Sequence, residues 1–238
     1  LADIYRGNSK CDKNFIRFSL YLMMFPRLIM GTIVSYDTFV YTLRNRRYNI
    51  SEIGSGLLGF TKGLAKKLLI ADSLYSLNSA VKNTPIDELS AAGAWLGIIA
   101  YILCLYFTLS GFSDMSCGLC RCFGMKFPNS FNYPLFTKKI RVFVSGWHIQ
   151  LVHWFRKYIT TPFSANFENP YVNKLIFVCV WTITGMWYGF SSGAAFWGML
   201  LGIAVVIENK LNNQKRIRPS GIIYTMMTIT LITVFLAQ

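Results

Sequence analysis

The chain has 238 residues, of which 53% are apolar and 16% aromatic, while only 14% are charged. Soluble domains average about 45–50% apolar and about 25% charged residues, so the composition argues against a soluble globular domain and predicts a membrane protein. The net charge of +14 does not indicate nucleic-acid binding, because Lys and Arg cluster at the ends of apolar runs, where cytosolic loops contact anionic lipid. We therefore expect membrane lipid, and no nucleic acid, among the partners.

The first 72 residues contain two segments with a helical pattern. Residues 15–36 are apolar apart from Arg17 and Arg27, and Pro26 in their middle removes a backbone donor, which predicts a bent or interfacial helix. In residues 59–72 (GFTKGLAKKLLIAD), Lys62 and Lys66 lie one turn apart, on a different side from the leucines. This second pattern predicts an amphipathic helix.

Three stretches contain no charged residue: 89–113, 175–207 and 219–238. A span needs about 20 apolar residues, so the first and the third stretch each predict one crossing. The middle stretch is too long for one crossing and too short for two. Its centre is rich in Gly and Ser, which predicts a broken or re-entrant hairpin. Thr84 and Pro85 have the pattern of a helix start, so we expect the first span to run inward from about residue 85 to about residue 109.

Polar residues follow directly on the first uncharged stretch. Ser110, Ser113 and Asp114 lie in a predicted turn at the membrane boundary, where an ionisable group usually faces a polar cavity or a charged partner. Arg121 is two helical turns further along the chain and is the expected partner if the segment is helical. The sequence therefore predicts one of two roles for Asp114: a structural ion pair or a place in the tunnel lining.

A break and a basic patch precede the only two histidines. Pro134 forces the preceding residue out of the helical region, so Asn132 lies in a predicted break. The basic patch that follows is either a positive cytosolic flank or a site for the phosphates of a thioester carrier; it comprises Lys138, Lys139 and Arg141. Residues 146–156 predict an amphipathic helix on which His148 and His153 lie about 140° apart, too far to share a metal ion or a substrate proton. The six cysteines also lack a second ligand pair at metal spacing, so no metal site is predicted.

Several of these segments match the motifs of one family. Phe25-Pro-Arg-Leu-Ile-Met-Gly31 is similar to Phe-Pro-Gln-Leu-Ile-Ala-Gly-Pro, and residues 59–72 are similar to Gly-Leu-x-Lys-Lys-x-Leu-Ile-Ala-Asp. Trp147-His-Ile-Gln-Leu151 is similar to Trp-His-Ile-x-Leu, and Trp154-Phe-Arg156 continues that match. Together they resemble the membrane-bound O-acyltransferase (MBOAT) family, in particular the branch that acetylates alginate and D-alanylates teichoic acid.

The resemblance implies an all-α, polytopic transmembrane protein with broken or re-entrant helices around a central tunnel. Residues 1–238 are then a single, partial MBOAT-type domain. We expect a fragment of a longer protein, because residue 1 opens inside a family motif and residue 238 ends an apolar run. The expected location is the bacterial inner membrane, crossed several times.

The resemblance also raises a difficulty at one residue. The family carries a His in Leu-Trp-His-Gly, whereas Met186-Trp-Tyr-Gly189 here places Tyr188 at that position, and Leu201 replaces a second family His. Acyl transfer to an alcohol needs a base and a donor for the developing oxyanion. Imidazole suits the first task, but a phenol with a pKa of about 10 does not. Either His148 is the base with Tyr188 as a hydrogen-bond donor, or this is an inactive relative that acts as a scaffold or acyl conduit.

The implied activity moves a short acyl group, of acetyl or D-alanyl type, from a cytosolic thioester to a hydroxyl of an exported polysaccharide or teichoic polymer. The donor is acyl-CoA or an acyl-carrier protein, no cofactor is tightly bound, and an extracytoplasmic transferase is a further expected partner. A transporter segment is the remaining alternative, although no inverted repeat is visible and the spans lack acids. The predicted catalytic residues are His148 and Tyr188, and the predicted tunnel residues are Ser113, Asp114, Asn132, Trp147, Arg156 and Trp187.

Overall fold

The computed structural model describes residues 2–7, 9–28, 31–85, 87–165, 169–213 and 221–233. Every regular element within these residues is helical, which confirms the all-α class. The α-helices are α1 (Ala2–Tyr5), α2 (Phe15–Met23), α3 (Phe25–Leu28), α4 (Tyr36–Arg44), α5 (Ile50–Ala65), α6 (Asp72–Asn83), α7 (Ala91–Cys122), α8 (Ile140–Gly146), α9 (Ile149–Phe155), α10 (Thr161–Ala165), α11 (Pro170–Tyr188), α12 (Ser192–Asn213) and α13 (Ile222–Thr233). Two π-helical segments, Lys66–Ala71 and Arg156–Thr160, and one 3₁₀ turn, Pro134–Phe136, complete them.

The chain forms two compact units. Unit 1 contains residues 1–72 and 106–130, and unit 2 contains residues 73–105 and 131–238, so that α7 passes from unit 2 into unit 1. Two helices of the described residues are long and apolar enough to cross a membrane, namely Ala91–Cys122 and Ser192–Leu211. The single-domain organisation over residues 1–238 stays a prediction.

Helix α7 differs from its predicted course at both ends. It begins at Ala91 after Ser90, whose hydroxyl accepts the Gly93 N–H at 3.1 Å, whereas Thr84 directly follows α6 and its hydroxyl donates to the Ala80 carbonyl at 3.0 Å. It then continues through residues 110–114, where we expected a turn, because no proline interrupts the segment. It ends at Cys122, where Gly124, with a φ of +75°, and the hydrogen bonds from the Gly124 and Met125 N–H groups back to Arg121 and Cys120 form a Schellman cap. The polar residues 110–114 therefore lie on a helix rather than in a loop.

The N-terminal apolar segment divides into separate helices instead of one bent helix. Helix α2 ends at Met23, Met24 is extended, and Pro26 opens the short α3. Arg27 then packs over the Tyr21 ring at 4.9 Å and donates through Nε to the Thr32 carbonyl at 3.1 Å. The prediction of one bent helix over residues 15–36 is therefore wrong, because the extended Met24 ends α2 and the contacts of Arg27 with the Thr32 carbonyl and the Tyr21 ring hold the chain there. Its interfacial location stays a prediction.

Helix α5 packs against the unit 1 part of α7 through two glycine pairs. A Cβ on Gly63 would lie 2.5 Å from the Gly111 carbonyl oxygen, and one on Gly56 would lie 2.7 Å from the Gly118 carbonyl oxygen. Each helix thus presents glycines at seven-residue spacing, which lets the backbones approach as they do in membrane helix pairs. The predicted helix at residues 59–72 is confirmed, and its last residues form the π-helical segment Lys66–Ala71.

The predicted broken hairpin is present in unit 2 as α11 and α12. Both helices extend beyond the uncharged stretch, because Asn169 caps α11 before Pro170 and α12 continues to Asn213. The break lies at Gly189-Phe-Ser191, inside the Gly- and Ser-rich centre, and the Ser191 hydroxyl accepts the Ala194 N–H at 3.1 Å. Of the third uncharged stretch, α13 is described, and residues 219–220 and 234–238 lie outside the described residues.

We expect the hairpin to depend on Gly198. A Cβ there would lie 2.2 Å from the Trp181 carbonyl oxygen, so Gly198→Ala should separate α11 from α12 and lower the free energy of unfolding by about 1–3 kcal/mol. Thermal unfolding of the detergent-purified protein measures the change. The matched control is Gly189→Ala, where the nearest atom would be 3.9 Å away. Equal melting temperatures for the two variants would contradict this packing.

Candidate active site

Residues 147–148 form a break between α8 and α9. Trp147 is extended, and His148 adopts the left-handed conformation with φ +47° and ψ +56°. The His148 imidazole caps α9 by accepting the Leu151 N–H on Nδ1 at 3.3 Å. The prediction of one amphipathic helix over residues 146–156 is therefore wrong, because a positive φ at residue 148 interrupts the helical path. His148 stands at a helix start instead of on a helix face.

A hydrogen bond joins this break to the end of α11. The Trp147 indole Nε1–H donates to the Tyr188 hydroxyl oxygen at 3.0 Å, and Trp147 is only 3% exposed. Tyr188 is the last residue of α11, directly before the hairpin break. The two sequence motifs that carry the predicted catalytic residues therefore meet through this one bond.

Aromatic rings surround the hydrogen bond. Phe131 lies with its ring centroid 5.8 Å from that of Trp147 and 5.6 Å from that of His148. On the other side, Trp197 of α12 contacts Tyr188 edge to face, with ring centroids 5.6 Å apart. His148, Trp147 and Tyr188 thus form a continuous chain of contacts, with Phe131 bridging the first two, and we call these five residues the aromatic cluster.

Burial and hydrogen bonding together define the state of His148, which lies outside the two span-length helices. Burial lowers the pKa of the imidazole below its ordinary value of 6.5, so the neutral form prevails at neutral pH. Because Nδ1 accepts the Leu151 N–H, the proton of the neutral ring is assigned to Nε2. In this arrangement the imidazole presents a donor to its surroundings, and Nδ1 is its basic atom.

Of the predicted tunnel residues of unit 2, Asn132 and Trp187 are chain neighbours of the cluster, and Arg156 lies elsewhere. The Asn132 N–H donates to the Gly146 carbonyl at 3.1 Å and holds the preceding loop against the end of α8, while its side chain is exposed. Trp187 is 64% exposed. Arg156 lines a separate cavity of about 370 Å³. The cavity is lined by Arg141, Val144, Ser145, Val152, Phe155, Arg156, Thr160, Phe177, Val180, Trp181, Thr184, Val205 and Asn209.

Ser113 and Asp114 belong to unit 1, where Asp114 forms an ion pair. Lys66 Nζ lies 2.5 Å from the Asp114 carboxylate and 3.0 Å from the Ser110 hydroxyl. The expected pairing of Asp114 with Arg121 is wrong: seven residues of helix separate them by about 10 Å, and the Arg121 Nε binds Glu52 at 2.7 Å. Ser113 is buried, and its hydroxyl has no hydrogen-bond partner among the described residues. The tunnel-lining role of Ser113 and Asp114 stays a prediction.

Metal ligation finds no support in the described part of the chain. No group of three or more His, Cys, Asp or Glu side chains there could hold a metal ion. The Cys117 thiol instead donates to the Pro128 carbonyl at 3.8 Å.

Two residues of the aromatic cluster were missed as site residues by sequence reasoning. Phe131 directly precedes Asn132 in the predicted break, and Trp197 lies four residues before Leu201, which replaces a second family His. The available signal for Trp197 was this proximity to position 201. The contact of each with His148 or Tyr188 spans many residues of sequence and becomes visible only in the fold.

Long apolar helices, a broken hairpin and a His-Trp-Tyr cluster at the break define a helical membrane protein with a site beside the break. The family model for "MBOAT, membrane-bound O-acyltransferase family" matches residues 10–234. The chain belongs to the membrane-bound O-acyltransferase family.

The similar proteins include enzymes named for the acylation of alginate, peptidoglycan and teichoic acid. The chain is 29% identical over 232 residues to the probable alginate O-acetylase AlgI of Azotobacter vinelandii, covering 96% of this chain and 46% of the relative. It is 30% identical over 211 residues to the peptidoglycan O-acetyltransferase of Helicobacter pylori, covering 85% and 39%. It is 24% identical over 231 residues to the teichoic acid D-alanyltransferase of Bacillus subtilis, covering 90% and 58%. The chain thus spans about half the length of the curated relatives it matches.

The ion pair of unit 1 should contribute to stability through direct coupling. We expect Lys66→Met and Asp114→Leu each to lower the free energy of unfolding, and the double variant to show a coupling of about 1 kcal/mol. Unfolding of all three variants in detergent measures the cycle. Lys62→Met, one turn earlier and exposed, is the matched control and should leave stability nearly unchanged. A coupling near zero would contradict the pairing.

Proposed function

We propose that the protein is a membrane O-acyltransferase that moves an acetyl or D-alanyl type group from a cytosolic thioester to a hydroxyl of an exported polysaccharide or teichoic polymer. The observation that carries the proposal is the hydrogen bond from Trp147 to Tyr188, which brings the two family motifs into one cluster. The family match and the names of the relatives support the reaction type.

The transfer step conserves atoms and charge. The oxygen of the acceptor hydroxyl forms a bond to the thioester carbonyl carbon, the carbon–sulfur bond breaks, and the sulfur leaves as a thiol. The hydroxyl proton passes to His148 and then to the leaving sulfur, while Tyr188 donates a hydrogen bond to the carbonyl oxygen. His148 is the proposed base and Tyr188 the proposed electrophilic donor.

The cap made by His148 is weak enough to be exchanged. Its Nδ1 lies 3.3 Å from the Leu151 nitrogen, beyond the common range of about 2.7–3.2 Å. Releasing that amide frees the Nδ1 lone pair to accept a proton, and a rotation about the side chain lets the ring turn to the substrate. The Leu151 N–H also points toward the His148 carbonyl at 2.9 Å, so it keeps a partner when the imidazole leaves.

The setting of the reaction follows from the family. We propose a multi-pass protein of the bacterial inner membrane that receives its acyl group from acyl-CoA or an acyl-carrier protein and works with an extracytoplasmic transferase. The basic patch Lys138, Lys139 and Arg141 supports a cytosolic contact with a phosphate-bearing donor, since ionised donors bind phosphate strongly. The Lys138 carbonyl accepts the Gly221 N–H at 2.9 Å, so the patch is attached to the start of α13.

A second candidate function is an inactive relative that acts as a scaffold or acyl conduit. The observation that favours it is Tyr188 itself, which stands where the family motif has His. A phenol is ionised to about one part in a thousand at pH 7, so its use as a base costs about 4 kcal/mol relative to imidazole. The two candidates differ in whether His148 supplies the missing base.

Substitutions at the cluster separate the two candidates. We expect His148→Ala to lower transfer of a labelled acetyl group by about 10²–10⁴, and Tyr188→His to raise it at least about tenfold, because imidazole supplies a base that phenol lacks. Tyr188→Phe should lower it by removing the donor. The measurement is acyl transfer by the intact protein, with His153→Ala, an exposed histidine, as the control. Transfer in no variant, with acceptor still bound, would support the inactive relative.

The pH dependence tests the protonation state of His148. Because burial lowers its pKa below 6.5, the basic form persists at pH 6.5, and activity should fall only at lower pH as the ring becomes protonated. The plot of kcat/KM against pH should therefore show an acid limb centred below pH 6.5 and a plateau above it. Residual activity of His148→Ala should lack this limb. A limb centred above pH 6.5 would contradict the assignment.

A further inference from the structure

The aromatic cluster contains a buried donor that the fold does not use. Trp197 is only 2% exposed, and its indole Nε1 has no hydrogen-bond partner among the described residues. Leaving a buried donor without an acceptor costs about 1–3 kcal/mol. An indole nitrogen can only donate, so the group that satisfies it must be an acceptor oxygen or nitrogen from outside the described protein.

The neighbouring hydroxyl of Tyr188 is in a similar position. Its oxygen accepts the Trp147 N–H, but its own proton finds no acceptor within the part of the chain that the structure describes. Donation by Trp147 polarises that hydroxyl, since hydrogen bonds in a chain strengthen one another at low dielectric. Two unused donors therefore stand on adjacent rings, whose centroids are 5.6 Å apart with planes at 78°.

The hairpin fixes this pair in place. Tyr188 ends α11 and Trp197 lies in the second turn of α12, so the short break between the helices holds both rings. Gly185 and Gly198 bring the two backbones together beneath them, because a Cβ on Gly185 would lie 2.9 Å from Gly198 Cα. Packing thus holds the two donors in place before any ligand binds.

We propose that the Tyr188 O–H and the Trp197 Nε1–H form a paired donor site for the carbonyl oxygen of the acyl group. The inference rests on the proposed function for the identity of the ligand and adds Trp197 as a residue that contacts it. Both donors are neutral, and the rings packed on them belong to uncharged residues, Trp147 among them. A neutral carbonyl suits such a site, whereas a buried carboxylate or phosphate needs compensating charge.

The chemical consequence concerns the step that makes the carbonyl reactive. When the acceptor hydroxyl attacks, negative charge develops on the carbonyl oxygen, and donors aimed at that oxygen stabilise it more than they stabilise the ground state. A single donor of this kind contributes about 10²–10³ in kcat. Position 188 then retains a function in the reaction even though it carries a phenol.

The test observes the indole proton directly in the intact protein. The chain has six tryptophans, so ¹⁵N labelling gives six indole signals, and Trp197→Phe identifies the relevant one. The probe is an acetyl-pantetheine analogue in which a methylene replaces sulfur, so that the carbonyl is kept but cannot be transferred. The matched probe has a further methylene in place of that carbonyl. We expect the first probe to move the Trp197 proton downfield and the second to leave it unchanged.

Affinity gives a second readout. Trp197→Phe should weaken binding of the carbonyl probe by about three- to tenfold and leave the methylene probe unaffected, since one neutral hydrogen bond is lost. Tyr188→Phe, which keeps the ring and removes only the hydroxyl, should have the same effect and stands in if Trp197→Phe fails to fold. Trp95→Phe, at a half-exposed position of α7, is the control.

The outcomes separate this inference from the proposed function. Equal shifts of the Trp197 indole proton with both probes, or a shift with neither probe, overturn the donor site. If that proton is unresponsive and also protected from exchange, its acceptor is a buried water and not the acyl carbonyl, which overturns the donor site as well. A downfield shift without any acyl transfer supports the donor site and counts against the transferase. Acyl transfer that survives Trp197→Phe unchanged, without a shift, overturns the donor site and leaves the transferase standing.

Discussion

The backbone contact between α11 and α12 is the constraint on which the site depends. A Cβ on Gly198 would lie 2.2 Å from the Trp181 carbonyl oxygen, and one on Gly202 would lie 3.2 Å from Val178 Cα. In lipid, apolar surfaces gain little from meeting one another, so close packing of small residues is what holds two helices together. Because these glycines face α11, the end of that helix and the start of α12 are fixed side by side, and Tyr188 meets Trp197.

Helix α12 also positions the other half of the cluster. Its Glu208 is buried, and the carboxylate accepts the Ile140 N–H at 2.8 Å, which satisfies the N-terminus of α8. Helix α8 leads directly to Trp147, whose indole then reaches Tyr188. Helix α12 therefore carries Trp197 and packs against α11, which carries Tyr188. Its Glu208 also caps α8, the helix that directly precedes Trp147. The geometry of the site follows from hydrogen bonds at helix ends as much as from apolar packing.

The sequence predicted the local features of this arrangement and missed the features that depend on distant contacts. The uncharged runs and the Gly- and Ser-rich break were readable because they depend on neighbouring residues. The partner of Asp114 was not, since Lys66 lies 48 positions earlier in the chain. The break at His148 was likewise hidden, because a left-handed residue other than Gly or Asn has no reliable local signature. The seven-residue spacing of Gly56 and Gly63, and of Gly111 and Gly118, was a signal of close helix packing that the sequence did carry.

The contact between Trp147 and Tyr188 also explains how one position can accept either imidazole or phenol. Both rings offer an acceptor to the Trp147 N–H and retain one N–H or O–H to donate elsewhere, so polarisation of a carbonyl survives the exchange. Proton uptake is lost when phenol replaces imidazole at position 188, because a side chain there can act as a base only if its pKa lies near neutrality. With phenol at position 188, polarisation and proton uptake must be divided between residues. His148, half-buried, neutral and in contact with Phe131 beside Trp147, is the titratable group that the cluster provides for the second task.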